Sequence, residues 1–103
     1  MPFGVGLAAY KELGFEKEWT LHHQGGAMGY YARDIKVTSA TTEPVAENQA
    51  YCWNPSISGT KTEDGFVVTP QGPVMITQPV IFPRIVSQAA GMTIARPGLL
   101  VLD

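Results

Sequence analysis

The sequence predicts an α+β fold: one N-terminal helix followed by a mainly antiparallel, curved sheet. Three observations predict it. Pro2 stands where a helix accepts proline best, in its first turn, and Val5, Ala8, Ala9 and Leu13 recur behind it at helical spacing. From Leu21 onward, β-branched and aromatic runs are punctuated by Gly, Pro and Asn turn signals. Strands that follow a helix, instead of alternating with several, read as α+β with antiparallel pairing.

Taken in order, the helix should stop at Gly14, a residue suited to the left-handed conformation after a last turn. Residues 15–20 form a connector. Tyr30-Tyr31 and residues 34–38 read as extended, and a polar loop at 39–43 ends on Pro44. The aromatic, alternating run 49–53 reads as a strand that Asn54-Pro55 must end, because proline offers no amide donor and disfavours helix before it. Residues 59–63 and 65–69 are the next extended segments. Pro70-Gln71-Gly72 is a turn, and 74–77 looks like the return arm of a hairpin. Residues 80–86 read as another strand, 88–91 as its turn and 92–96 as its partner, before an apolar tail at 99–102.

Composition narrows the function classes. Of 103 residues, 45% are hydrophobic and only 16% charged, against about a quarter charged in an average chain. That deficit points to surface covered by another chain or by a further part of the same protein. Residues 1–103 are accordingly read as a single, partial domain. A net charge of −2 without a Lys/Arg cluster argues against nucleic-acid binding through a basic patch. The single cysteine, Cys52, excludes an internal disulfide and fits a reducing compartment. No apolar run approaches the roughly 20 residues of a membrane span, and the first residues lack the pattern of a signal peptide. The expectation is a cytoplasmic protein that contacts neither membrane nor nucleic acid.

The chemistry-bearing residues concentrate in one place. His22 and His23, the only histidines, run directly into Gly25, Gly26 and Gly29. Imidazole is the side chain best suited to metal ligation and proton transfer near neutral pH, and glycines let backbone approach closely. Taken singly, each residue has a plainer reading. The histidines could be strand-edge residues, one packed and one exposed, and Glu63-Asp64 a solvated acidic pair at a strand end. Asn54 could be a turn residue, Tyr30 a half-buried strand tyrosine, Arg33 a surface arginine and Cys52 a small buried hydrophobe.

Three segments in order give these residues a sharper meaning. His22-His23-Gln24-Gly25-Gly26 resembles a Gly-His-x-x-Gly element. Gln49-Ala50-Tyr51-Cys52-Trp53-Asn54-Pro55 falls where an apolar strand would end in Glu-Pro-Gly. Gly59-Thr60-Lys61-Thr62-Glu63-Asp64, followed by Gly65-Phe66-Val67-Val68-Thr69, resembles a final strand that begins with a metal-bridging glutamate. Together, over roughly residues 21–77, the chain resembles the C-terminal half of the pita-bread metallopeptidases, the M24 family of aminopeptidase P, prolidase, methionine aminopeptidase and creatinase.

The resemblance implies the C-terminal half of a pita-bread fold and a site for divalent Mn, Co, Fe or Zn. His23 would be the metal-binding imidazole, Glu63 the bridging carboxylate and Asn54 the occupant of a further ligand position. His22 fits the same spacing against Gly25, so either histidine could be the ligand, and with His23 in that place His22 would be a catalytic imidazole. Tyr30 stands where the family has a second histidine and could donate a hydrogen bond to a substrate carbonyl. The chain also departs from the pattern: Asn54 replaces a glutamate, and the family's two aspartate ligands lie in an upstream half.

Two functions are therefore expected. One is the C-terminal segment of a metal-dependent aminopeptidase or Xaa-Pro dipeptidase, inactive alone. The other is a non-catalytic relative that binds a small peptide-like or amide ligand without metal. Either way, the incomplete sheet should self-associate as a homo-oligomer or pair with the N-terminal half.

Overall fold

The computed structural model describes residues 2–103, and its element order is helix first, strands after. Helix α1 spans Pro2–Glu12 and is followed by a short 3-10 turn at Glu18–Leu21. Nine strands follow: β1 Gly25–Met28, β2 Ile35–Lys36, β3 Ala50–Trp53, β4 Ser56–Ile57, β5 Thr60–Lys61, β6 Asp64–Thr69, β7 Gly72–Met75, β8 Arg84–Ala89 and β9 Met92–Pro97. Five of them make one antiparallel sheet in the order β2-β1-β3-β6-β7, while β4-β5 and β8-β9 are separate hairpins.

The helix ends as expected, at Gly14, whose φ of +85° suits a residue without Cβ. Phe15 N–H reaches back to the Tyr10 carbonyl at 2.8 Å and Gly14 N–H to that of Lys11 at 3.1 Å, the paired bonds of a Schellman cap. The buried face differs from the apolar repeat in the sequence. Val5 and Leu13 are exposed, and the helix instead packs Phe3 and Tyr10 inward, with Gly6 beside Trp53. Tyr10 also accepts the Ser56 amide and donates to the Ser56 carbonyl, which ties the helix to the β4 hairpin through a single hydroxyl.

Strand β1 runs through the glycine-rich segment, where no strand was assigned from propensity. Closeness of approach explains it. A Cβ on Gly26 would lie 1.7 Å from the Ile35 carbonyl oxygen of β2, and one on Gly25 2.3 Å from the Cys52 carbonyl oxygen of β3. Only glycine lets both neighbours close on β1.

On the helix side of the sheet Ala27, Tyr51 and Phe66 sit in cross-strand register, with the last two rings stacked 6.0 Å apart. The apolar core is small: Phe3, Tyr10, Ala27 and Cys52.

Other expectations shift locally. Tyr30 and Tyr31 lie in a bend rather than a strand, because the Asp34 carboxylate accepts the Tyr31 amide and Asp34 N–H bonds the Ala27 carbonyl, closing a tight loop. Strand β8 starts only at Arg84, directly after Pro83. Its turn is the dipeptide Ala90-Gly91, both with positive φ, the type I′ geometry that matches strand twist. No helix among the described residues is long and apolar enough to cross a membrane.

Candidate functional site

Strand register assembles the site. Gly25 of β1 faces Trp53 of β3, which faces Asp64 of β6. The residues just outside these three positions are His23-Gln24, Asn54 and Glu63, so all come to the same end of three adjacent strands. The Asn54 amide closes the corner with a 2.8 Å bond to the Gln24 carbonyl.

His23, Asn54 and Glu63, separated by up to 40 positions in the sequence, are thereby gathered. Asn54 is buried, and its Nδ2 lies 3.3 Å from His23 Nε2. An amide nitrogen can only donate, so in this orientation Nε2 accepts and the ring proton sits on Nδ1. Burial above all, then the charges of His22, Arg33 and Lys36, holds the His23 imidazole below its usual value, with Glu63 opposing. Asn54 Oδ1 is buried and has no partner among the described residues.

Glu63 is held from three sides. The Cys52 thiol donates to Oε1 at 3.0 Å, Lys61 Nζ donates to Oε2 at 2.9 Å, and Arg33 Nη2 stands 3.6 Å from Oε1. The thiol bond and then Lys61 keep the carboxyl below the ordinary range. The same contact, with burial as the larger cause, pushes the Cys52 thiol up. Cys52 is buried as expected, yet it is a hydrogen-bond donor and not merely a small hydrophobe. Arg33 is no surface arginine either: its side chain keeps 12% of its accessibility, and its Nε is buried without a partner among the described residues. The thiol contact depends on the β3-β6 register and the Arg33 contact on the β1-β2 connection reaching Glu63, neither of which residue type alone reveals.

Glu63 and Asp64 are not an equivalent solvated pair. Strand alternation turns them to opposite sides. Asp64 is 6% exposed, accepts from Arg96 Nε at 2.7 Å, and receives the Thr77 hydroxyl at 3.4 Å. Arg96 Nη2 also donates to Thr62 Oγ1 at 2.8 Å, so Asp64 anchors the C-terminal hairpin.

Tyr30 is not brought to this site. It follows Met28, at the opposite end of β1, and is 94% exposed with its ring edge-to-face on Tyr31. A four-residue strand separates it from His23 by more than about 10 Å. His22 stays near: its ring stacks on His23 at 4.4 Å, and its Nδ1 lies 2.6 Å from the His23 carbonyl oxygen.

The donor chemistry can be compared with what a dinuclear metal centre needs. His23 presents Nε2 to an amide, Asn54 is neutral, and the Glu63 charge is already engaged by two cations. Among the described residues no group of three His, Cys, Asp or Glu side chains stands close enough to hold a metal ion. These residues by themselves do not fit a dinuclear centre.

No family model, curated protein or solved structure matches this chain.

Proposed function

We propose that the chain is the C-terminal segment of a pita-bread domain related to the M24 metallopeptidases. In this reading its site holds a small peptide-like or amide ligand by hydrogen bonds in place of closing a metal centre. The observation that carries it is the hydrogen-bonded pair of half-buried His23 and buried Asn54, whose amide oxygen has no partner among the described residues, beside a Glu63 already engaged by Lys61 and Arg33. An amide ligand offers an N–H to Asn54 Oδ1 and a carbonyl to a neighbouring donor, and leaving such buried atoms unpaired is costly.

The test is a titration with N-acetylalaninamide and N-acetylprolinamide, followed by the fluorescence of Trp19 and Trp53. Saturable binding is expected, insensitive to chelator and weakened at least about tenfold in Asn54→Ala, as loss of a buried hydrogen bond implies. Absence of saturation, or loss of binding with chelator, would overturn it.

A second reading is favoured by one observation, the lowered His23 value. A lowered value favours the neutral imidazole, the form metal ligation requires. On that reading an upstream half supplies the missing aspartates and the assembled protein hydrolyses Xaa-Pro bonds. The coding sequence upstream, searched for an Asp-x-x-x-x-x-x-x-x-x-x-Asp pattern, decides whether such a half exists. The exposed apolar residues Val80, Ile81, Val101 and Leu102 would then be surface taken by that half or by a second copy. Light scattering at rising concentration should show self-association of the chain alone, and a strictly monomeric species would contradict it.

A further inference from the structure

Beside the histidines a groove of about 250 Å³ opens between the start of α1, the 3-10 turn, residues 22–24 and the end of β2. Its lining combines Phe3 and Trp19 with His22, His23, Lys36 and Thr38. Although the chain carries nine acidic residues and a net charge of −2, none of those nine lines the groove. Lys36 forms no ion pair among the described residues. The pairing of His23 Nε2 with Asn54 leaves Nδ1–H as a donor with no partner among the described residues. Phe3 and Trp19 meet edge-to-face at 5.8 Å and 89°, an aromatic wall next to these donors.

We propose that this groove binds a small organic anion, a carboxylate or phosphate ester carried on an apolar body. Lys36 and His23 take the anionic head, and Phe3 and Trp19 pack against the apolar part. A cation and several donors with no competing carboxylate favour an anion, since charge-assisted hydrogen bonds are about twice as strong as neutral ones. The volume, below the roughly 300–1,000 Å³ of pockets for drug-sized ligands, limits the body to about one ring. His23 is shared with the proposed amide site, whereas Lys36 and the aromatic wall belong to the groove alone, so a Lys36 variant separates failure of the one from failure of the other.

The two histidines are the only ones in the chain, so their ring proton resonances report on this groove without overlap. The chain is titrated at fixed pH with phenylacetate, phenyl phosphate and the neutral 2-phenylethanol. Either anion should shift the histidine and Trp19 resonances saturably, and the tighter of the two names the head group. Lys36→Gln, at an exposed position, should weaken binding about tenfold, the loss expected for one charge-assisted contact. Arg84→Gln, on the C-terminal hairpin and outside the groove, should leave it unchanged. The proposal is overturned if neither anion saturates below about 10 mM. It is equally overturned if 2-phenylethanol binds as well as the anions, or if Lys36→Gln retains full affinity while Arg84→Gln does not.

Discussion

Arg96→Met removes a guanidinium from the buried Asp64 carboxylate while keeping the aliphatic stem. The size of the effect follows from where the pair sits. The Asp64 side chain retains 8% of its accessibility and that of Arg96 34%. Fully exposed pairs contribute about 0–1 kcal/mol, whereas removing one partner of a buried pair costs about 3–5 kcal/mol. With one partner buried and the other a third exposed, about 2–3 kcal/mol is expected, a substantial share of the roughly 5–15 kcal/mol that stabilises a domain.

Urea unfolding of the wild type, Arg96→Met, Asp64→Asn and the double variant closes a thermodynamic cycle, with an expected coupling of about 1–2 kcal/mol. Arg96 also makes the only side-chain hydrogen bonds joining the β8-β9 hairpin to the sheet among the described residues. Hydrogen exchange in Arg96→Met should therefore accelerate in β8 and β9 before the central sheet. A loss under about 0.5 kcal/mol, additive single variants and unchanged hairpin exchange together would refute the assignment of Asp64 as a structural anchor.

Gly4→Ala should stabilise the chain by about 0.5–1 kcal/mol, since the added methyl meets nothing within 4 Å in an exposed helix; Gly26→Ala should unfold it or detach β2, and thermal melts separate the two. Acidification should destabilise the protein in two stages. Below pH 6.5 the unfolded chain protonates its histidine while folded His23, with its lowered value, resists; below 4.5 the same holds for Glu63, whose pairing is lost as pH falls through its folded value. His23→Gln should abolish the upper stage of a melting-temperature profile, and an unchanged profile would contradict the lowered value of that ring. The buried Cys52 thiol, pushed up and bonded to Glu63, should react with iodoacetamide at pH 8 at least about tenfold more slowly than in urea. Equal rates would contradict the bond.

How much of this was legible in the sequence differs residue by residue. Pro2 and Gly14 marked both ends of the helix, because capping is local chemistry. The helix's buried face was not legible: it is set by where Trp53 and the 3-10 turn lie, and that is tertiary. The 49–53 strand and its stop at Asn54-Pro55 followed from propensity and from the missing proline donor. Strand β1 did not, since glycine disfavours strands and reveals its purpose only through the distance to Ile35. His23, Asn54 and Glu63 were named from motif spacing, and the register gathers them at one sheet end. Cys52 and Arg33 were taken for bystanders because their contacts cross strands, while Tyr30 was placed by spacing alone and lies at the other end of β1.

Retention of metal separates a hydrogen-bonded site from a metal centre. The folded chain, together with His23→Ala and Glu63→Gln, is equilibrated with Mn, Co or Zn, dialysed and analysed for bound metal. A site held together by the His23–Asn54 pair and a Glu63 occupied by Cys52, Lys61 and Arg33 predicts no stoichiometric ion in the wild type. One or two equivalents in the wild type, lost in both variants, would contradict it.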